Sequence, residues 1–281
     1  MIKQWMALGV WLALLVLASN APAQTRAAML KQAEASMLLT GRIDVAVDGT
    51  VTAYSIDRQY EVPEAVRTHV ARNVPRWQVQ PATSDGVPIA SSTRFSMRLV
   101  TRRHDGGNYK INIVGVHIDD ELPSGERLTA PNMAPPVYPR QILELGGTGV
   151  VYVLAKVGLD GRVVDTHVER FNLTVLARGP LAGRIRDALS KAALTAVSGW
   201  SFRLPEGASE AGRDYVVIRM PIEFTTGGEH GYGAWKAYIP GEHSRPAWAY
   251  GDDGNDALAP QRATLAGSGL RLASALEPEG S

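Results

Sequence analysis

Along the first third of the chain, Ile43, Val45 and Val47 alternate with Arg42, Asp44 and Ala46, and after Asp48-Gly49 the alternation resumes at Val51, Ala53 and Ser55. Period two on both sides of an Asp-Gly pair predicts a β-hairpin. Pro63-Glu64 then opens a stretch in which Val66, Val70, Val74 and Trp77 recur at helical spacing, and Pro75 stops it. Residues 93 to 100 alternate again, with Phe95, Met97 and Leu99 on the apolar face, and a turn from His104 to Asn108 leads into a further apolar strand, Tyr109 to Ile118. Ahead of all this, residues 24 to 39 are rich in strong helix formers and are expected to form a short leading helix.

The second half runs through the same order. Gly149 begins a strand with Val151, Val153, Ala155 and Val157 on one face, Asp160-Gly161 turns it, and Val163 to Phe171 returns. Residues 184 to 199 carry an apolar stripe at helical spacing that ends at Trp200, and residues 215 to 225 close the unit as a strand. Gly41, Asp48-Gly49, Trp77-Gln78-Val79, Pro81 and Phe95 match Gly149, Asp160-Gly161, Trp200-Ser201-Phe202, Pro205 and Phe224, which an internal duplication explains economically. The expected organisation is α+β: two tandem domains, 40 to 118 and 135 to 226, each a small antiparallel sheet packed on one long helix. Residues 119 to 134, rich in Pro, Gly and charge, read as the linker between them. Trp77, Trp200 and Phe202 are assigned to the cores, since domains this small need large buried aromatics.

From residue 227 to 281 neither period is sustained, and the segment reads as a disordered tail. Tyr232, Trp235, Tyr238, Trp248 and Tyr250 are concentrated there, either as contact points for a partner or as decoration of a flexible tail.

Composition narrows the function classes. With 29 Lys and Arg against 28 Asp and Glu in 281 residues, the chain has no basic excess to offer nucleic acid, which is excluded as a partner. The absence of cysteine removes disulfides, thiol catalysis and thiolate metal sites together. Lys3, the apolar run from Trp5 to Ala18 and the small residues Ala21 and Ala23 have the form of a signal peptide, 1 to 23, cleaved after Ala23, which places the mature chain in the periplasm. The alternative is anchorage in the inner membrane by residues 5 to 18, a run that as a helix rises only about 21 Å against a hydrocarbon core of roughly 30 Å.

Candidate chemistry is sparse. The six histidines show no HExxH spacing, and His117-Ile118-Asp119-Asp120-Glu121 reads as a solvated charge run. No nucleophile motif or phosphate-binding loop is present, and Gly146-Gly147-Thr148-Gly149 precedes a strand rather than a helix. The expectation is a non-enzymatic protein without cofactor or metal.

Residues 136 to 225 resemble the C-terminal domain of the TonB family of energy transducers. The resemblance lies in Pro136-Val137-Tyr138-Pro139, in Gly149 before its strand, in Asp160-Gly161-Arg162-Val163, in Ala192-Ala193-Leu194 leading to Trp200-Ser201-Phe202, and in Met220-Pro221-Ile222-Glu223-Phe224. The first half resembles a diverged copy that lacks the Tyr-Pro pair. The chain departs from the family in having no histidine between residues 5 and 18 and no long Pro-rich segment. What the resemblance implies is binding of an extended peptide from a TonB-dependent outer-membrane transporter, or another envelope protein, by strand addition beside the last strand, with a link to energy-dependent transport across the membrane. The residues it points to are Val216, Val217, Ile218, Arg219, Met220, Pro221, Ile222, Glu223 and Phe224. Pro221 fits a sheet edge, and equally fits a device that blocks pairing there. A structural envelope module that forms homodimers through the same edges is the alternative.

Overall fold

The computed structural model describes residues 31–103, 108–119, 128–205, 212–227, 231–249 and 264–265. The apolar run 5 to 18 and the cleavage motif lie outside the described residues. Among the described residues no helix is long and apolar enough to cross a membrane.

The first half contains β1 (Glu34–Val45), β2 (Val51–Ile56), a helix Glu64–Asn73, the small hairpin β3 (Ala82–Ser84) and β4 (Val87–Ile89), then β5 (Ser91–Arg103) and β6 (Tyr109–Ile118). The second contains β7 (Thr129–Asn132), a short helix Arg140–Glu144, β8 (Gly149–Gly158), β9 (Val163–Leu173), the long helix Gly179–Ser198, β10 (Ser201–Arg203) and β11 (Tyr215–Phe224), followed by β12 (Lys236–Tyr238) and β13 (Thr264–Leu265). One antiparallel sheet has the order β12-β1-β5-β6 with β2 also paired to β1, and the other the order β13-β11-β8-β9. The architecture is mixed α and β with mostly antiparallel sheets.

Each sheet buries one face under a helix. Met37, Leu39, Ile43 and Val45 of β1 and Phe95, Met97 and Leu99 of β5 pack with Val66, Val70 and Val74. In the second half Val151, Val153, Ala155 and Val157 meet Ile185, Leu189, Ala193 and Val197, a row at four-residue spacing on the long helix. Each fully buried Val, Leu or Ile contributes roughly 1.5–3 kcal/mol relative to exposure, so these rows are what hold helix to sheet. Trp77, Trp200 and Phe202 are buried in these cores, as their positions at the helix ends predict.

The two Asp-Gly turns are built alike. Asp48 Oδ1 accepts the Thr50 amide at 3.0 Å, and Asp160 Oδ1 accepts the Arg162 amide at 3.0 Å. Gly49 and Gly161 both take a positive φ, 85° and 79°, and each carbonyl accepts an amide from the segment after the helix, Val79 at 2.9 Å and Phe202 at 2.8 Å. A Cβ at either glycine would run into the carbonyl oxygen of that same Val79 or Phe202. Gly41 also faces Phe95 across its sheet as Gly149 faces Phe224, although Gly41 lies seven residues before Asp48 and Gly149 eleven before Asp160.

Three expectations are corrected. The leading helix 24 to 39 does not extend past Gln32 among the described residues, because Glu34 to Leu39 belong to β1 and pair with β5 in unbroken register down to Val45. The alternation of buried Met37 and Leu39 with Leu38 and Thr40 runs on into Ile43 and Val45, and sheet pairing overrides helix propensities worth only tenths of a kcal/mol per residue. The linker 119 to 134 is not free of structure: Thr129–Asn132 is β7 and pairs with β10. The described residues from Ala33 onward form one compact unit, within which the two halves keep separate sheets and separate cores.

The tail 227 to 281 is likewise not uniformly disordered. Lys236–Tyr238 pairs with the start of β1, and Ile239 exchanges backbone hydrogen bonds with Leu173 at the end of β9, 2.8 and 3.0 Å, so one short segment touches both sheets. Tyr232 and Trp235 pack on the first core, and the Tyr232 hydroxyl donates to the Thr40 carbonyl at 3.0 Å while accepting its amide at 2.9 Å. Trp248 also donates its indole N–H to Asp165 at 2.9 Å, so the four tail aromatics among the described residues all contact the fold.

Candidate functional site

The nine residues Val216 to Phe224 all lie on β11, which pairs with β8 along its whole length, Tyr215 with Gly158 through Phe224 with Gly149. Val216, Ile218, Met220, Ile222 and Phe224 point into the core beneath the long helix. Val217, Arg219, Pro221 and Glu223 point to the opposite face, as the two-residue strand period requires. That face is covered too: Val217 is 0% exposed and Arg219 6%. Pro221 and Glu223 border a cavity of about 200 Å³ whose other walls include Leu38 and Arg98 of the first sheet, Tyr152 of β8 and Tyr238 of the tail.

The polar centre beneath this face is an ion pair. The Arg219 guanidinium donates to Glu169, whose side chain is 1% exposed, and His243 Nε2 stands 3.4 Å from the other carboxylate oxygen. Tyr152 offers its ring to both Arg219 and Arg170, 5.3 and 5.0 Å from the guanidinium carbons. A buried carboxylate is tolerated only when paired and hydrogen-bonded in this way. Nearer the surface, Lys236 reaches Glu223 at 3.3 Å.

With both faces covered, what β11 can offer a visitor is its backbone margin. On the side away from β8, two residues of the tail pair with it: Ile218 with Leu265 and Arg219 with Thr264, antiparallel. Among the described residues no other strand pairs on that side of Tyr215–Val217 or Met220–Phe224. The equivalent margin of the first sheet is different in kind, because β6 runs beside β5 from Phe95 to Arg103 and uses it up.

The sequence led to the expectation that β11 is an edge strand; in the structure it lies between β8 and the two-residue β13, and β13, the Arg219–Glu169 pair and the docking of the tail were not foreseen. The signal for the tail was present in its aromatics. For the ion pair it was faint, a glutamate on an otherwise alternating strand. His117, also singled out, is buried, with its Nε2 3.3 Å from Asp119 Oδ1, and among the described residues no group of three or more His, Asp or Glu could hold a metal ion.

No family model matches the chain, and no curated protein matches it. One solved structure is similar to it: the solution NMR structure of the Pseudomonas aeruginosa TonB C-terminal domain, 26% identical over 40% of this chain and 94% of that one, with a TM-score of 0.23.

Proposed function

We propose that the chain is a non-enzymatic periplasmic binding protein that takes up an extended peptide along the outer side of β11 by strand addition. A strand margin carries a row of amide and carbonyl groups that an incoming segment can pair without any rearrangement of side chains, and this is how sheets commonly recruit peptides. The observation that carries the reading is the contrast between the two sheets: β6 closes β5 from Phe95 to Arg103, while among the described residues β11 is paired outwardly only at Ile218 and Arg219. The resemblance of residues 136 to 225 to the TonB C-terminal domain supports a plug-end segment of an outer-membrane transporter as the ligand. It also supports descent of the two halves from one duplicated unit, of which only the second keeps a receptive margin.

The test is titration of the isotope-labelled chain with a synthetic peptide from the N-terminal plug of a TonB-dependent transporter. Amide resonances of residues 215 to 224 shift saturably if the reading holds; spectra unchanged at millimolar peptide remove it. Homodimerisation through the same margin would show in sedimentation as a concentration-dependent species that the peptide dissolves. Charge insertion at Ile218 or Ile222 is no test of either, because both side chains lie in the core and the variants would unfold. Export with cleavage after Ala23 predicts a mature chain that begins at Gln24, which N-terminal sequencing of the periplasmic fraction checks.

A further inference from the structure

We propose that the segment at Thr264–Leu265 is an internal ligand of the β11 margin, and that an incoming peptide must displace it; this rests on the reading that β11 is where peptide binds. The position of the contact carries the inference. Thr264 and Leu265 pair with Arg219 and Ile218, near the middle of β11 rather than at an end. They divide the outer side into Tyr215–Val217, three residues, and Met220–Phe224, five, so a strand longer than five residues cannot lie along it without crossing the occupied pair.

The second stretch is further weakened as a landing site by Pro221, which has no N–H to give. The same position relative to the first sheet is held by β6, also antiparallel and also from the chain itself. Both margins are therefore served by the protein's own backbone, one by a strand of ten residues and one by two.

The difference in length sets the difference in role. Backbone hydrogen bonds contribute roughly 0.5–1.5 kcal/mol net each, so a ladder the length of β6 is part of the fold while a two-residue ladder opens readily. Belonging to the same chain makes the short ladder effective nonetheless, since a covalently linked segment competes at a local concentration on the order of millimolar. The device sets a threshold: weak or short peptides are refused, and a segment able to pair along most of β11 displaces the tail.

The experiment compares the full chain with a Thr264→Pro/Leu265→Pro variant and with a chain ending at Ala249. The probe is a synthetic peptide of residues 260 to 269, PQRATLAGSG, supplied in trans. Successive amides of a strand point to opposite sides, so one of Ile218 and Arg219 directs its N–H at the tail. That amide should exchange with solvent at least tenfold faster in both variants, and the peptide should shift it with at least tenfold higher apparent affinity than in the unaltered chain. Equal exchange in all three chains overturns the proposal, as does equal affinity for the peptide. Exchange that responds while a transporter peptide binds none of the chains removes the transporter reading and leaves the internal ligand standing; a transporter peptide that binds all three equally does the reverse.

Discussion

The hydroxyl of Tyr238 donates to the carboxylate of Glu34 at 2.5 Å, joining residues 204 positions apart. Arg102 holds the other oxygen of the same carboxylate at 2.5 Å, so a group only 8% exposed is satisfied from two elements.

Burial, then the hydrogen bond to Glu34 and the charge of that carboxylate, push the Tyr238 phenol well above its ordinary range. A folded-state pKa above the unfolded value of about 10 means that the stabilisation is fully present below pH 10 and is lost as pH rises through the folded value. Tyr238 should therefore stay protonated in alkaline titration while exposed tyrosines ionise, and should ionise only on unfolding. Tyr238→Phe removes that late step from the phenolate absorbance and, by leaving a buried carboxylate oxygen unpartnered, costs about 1–3 kcal/mol in urea unfolding.

Gly161→Ala should be markedly worse than Gly86→Ala, although both glycines have a φ near +79°, 79° and 78°. A Cβ at Gly86 meets nothing within 4 Å, so that variant carries only the backbone strain, about 1 kcal/mol. At Gly161 the Cβ meets the Phe202 carbonyl, the acceptor's own partner segment must move, and the cost should reach about 2–4 kcal/mol. Equal melting temperatures for the two variants would show that the close approach of turn and strand is not real.

Arg219→Ala takes the guanidinium away from the buried Glu169, leaving His243 at 3.4 Å, and should destabilise by about 3–5 kcal/mol. Arg219→Met with Glu169→Gln removes both charges and should recover most of that loss. Denaturant midpoints for the single and double variants separate a costly orphaned charge from an indispensable ion pair.

How much of this was legible in the sequence depended on whether neighbours in space were neighbours in pattern. The hairpins at Asp48-Gly49 and Asp160-Gly161, the two longer helices and the strand ending at Phe224 are set by local chemistry and repeat their pattern over several turns or pleats. Residues 34 to 39 were misread because Ala, Met and Leu favour a helix when isolated, and only the presence of β5 sixty residues away makes them a strand. Lys236 to Ile239 and Thr264–Leu265 pair through backbone with partners up to two hundred residues distant, and two or three paired residues leave no periodicity to read. The expectation of an unpaired edge at β11 did not foresee that its own chain pairs there, for the same reason.

Because β12 lies against Glu34 to Ser36, these residues of β1 have no partner on that side until the ribosome has made about two hundred further residues, whereas β2 closes Gly41 to Val45 soon after they are made. Throughout synthesis, Glu34 to Ser36 present bare amides and carbonyls on that side to any passing chain. Such late closure lengthens the window for misassociation and slows maturation, so the yield of native protein should be governed by how well nascent chains are kept apart rather than by the strength of the finished fold.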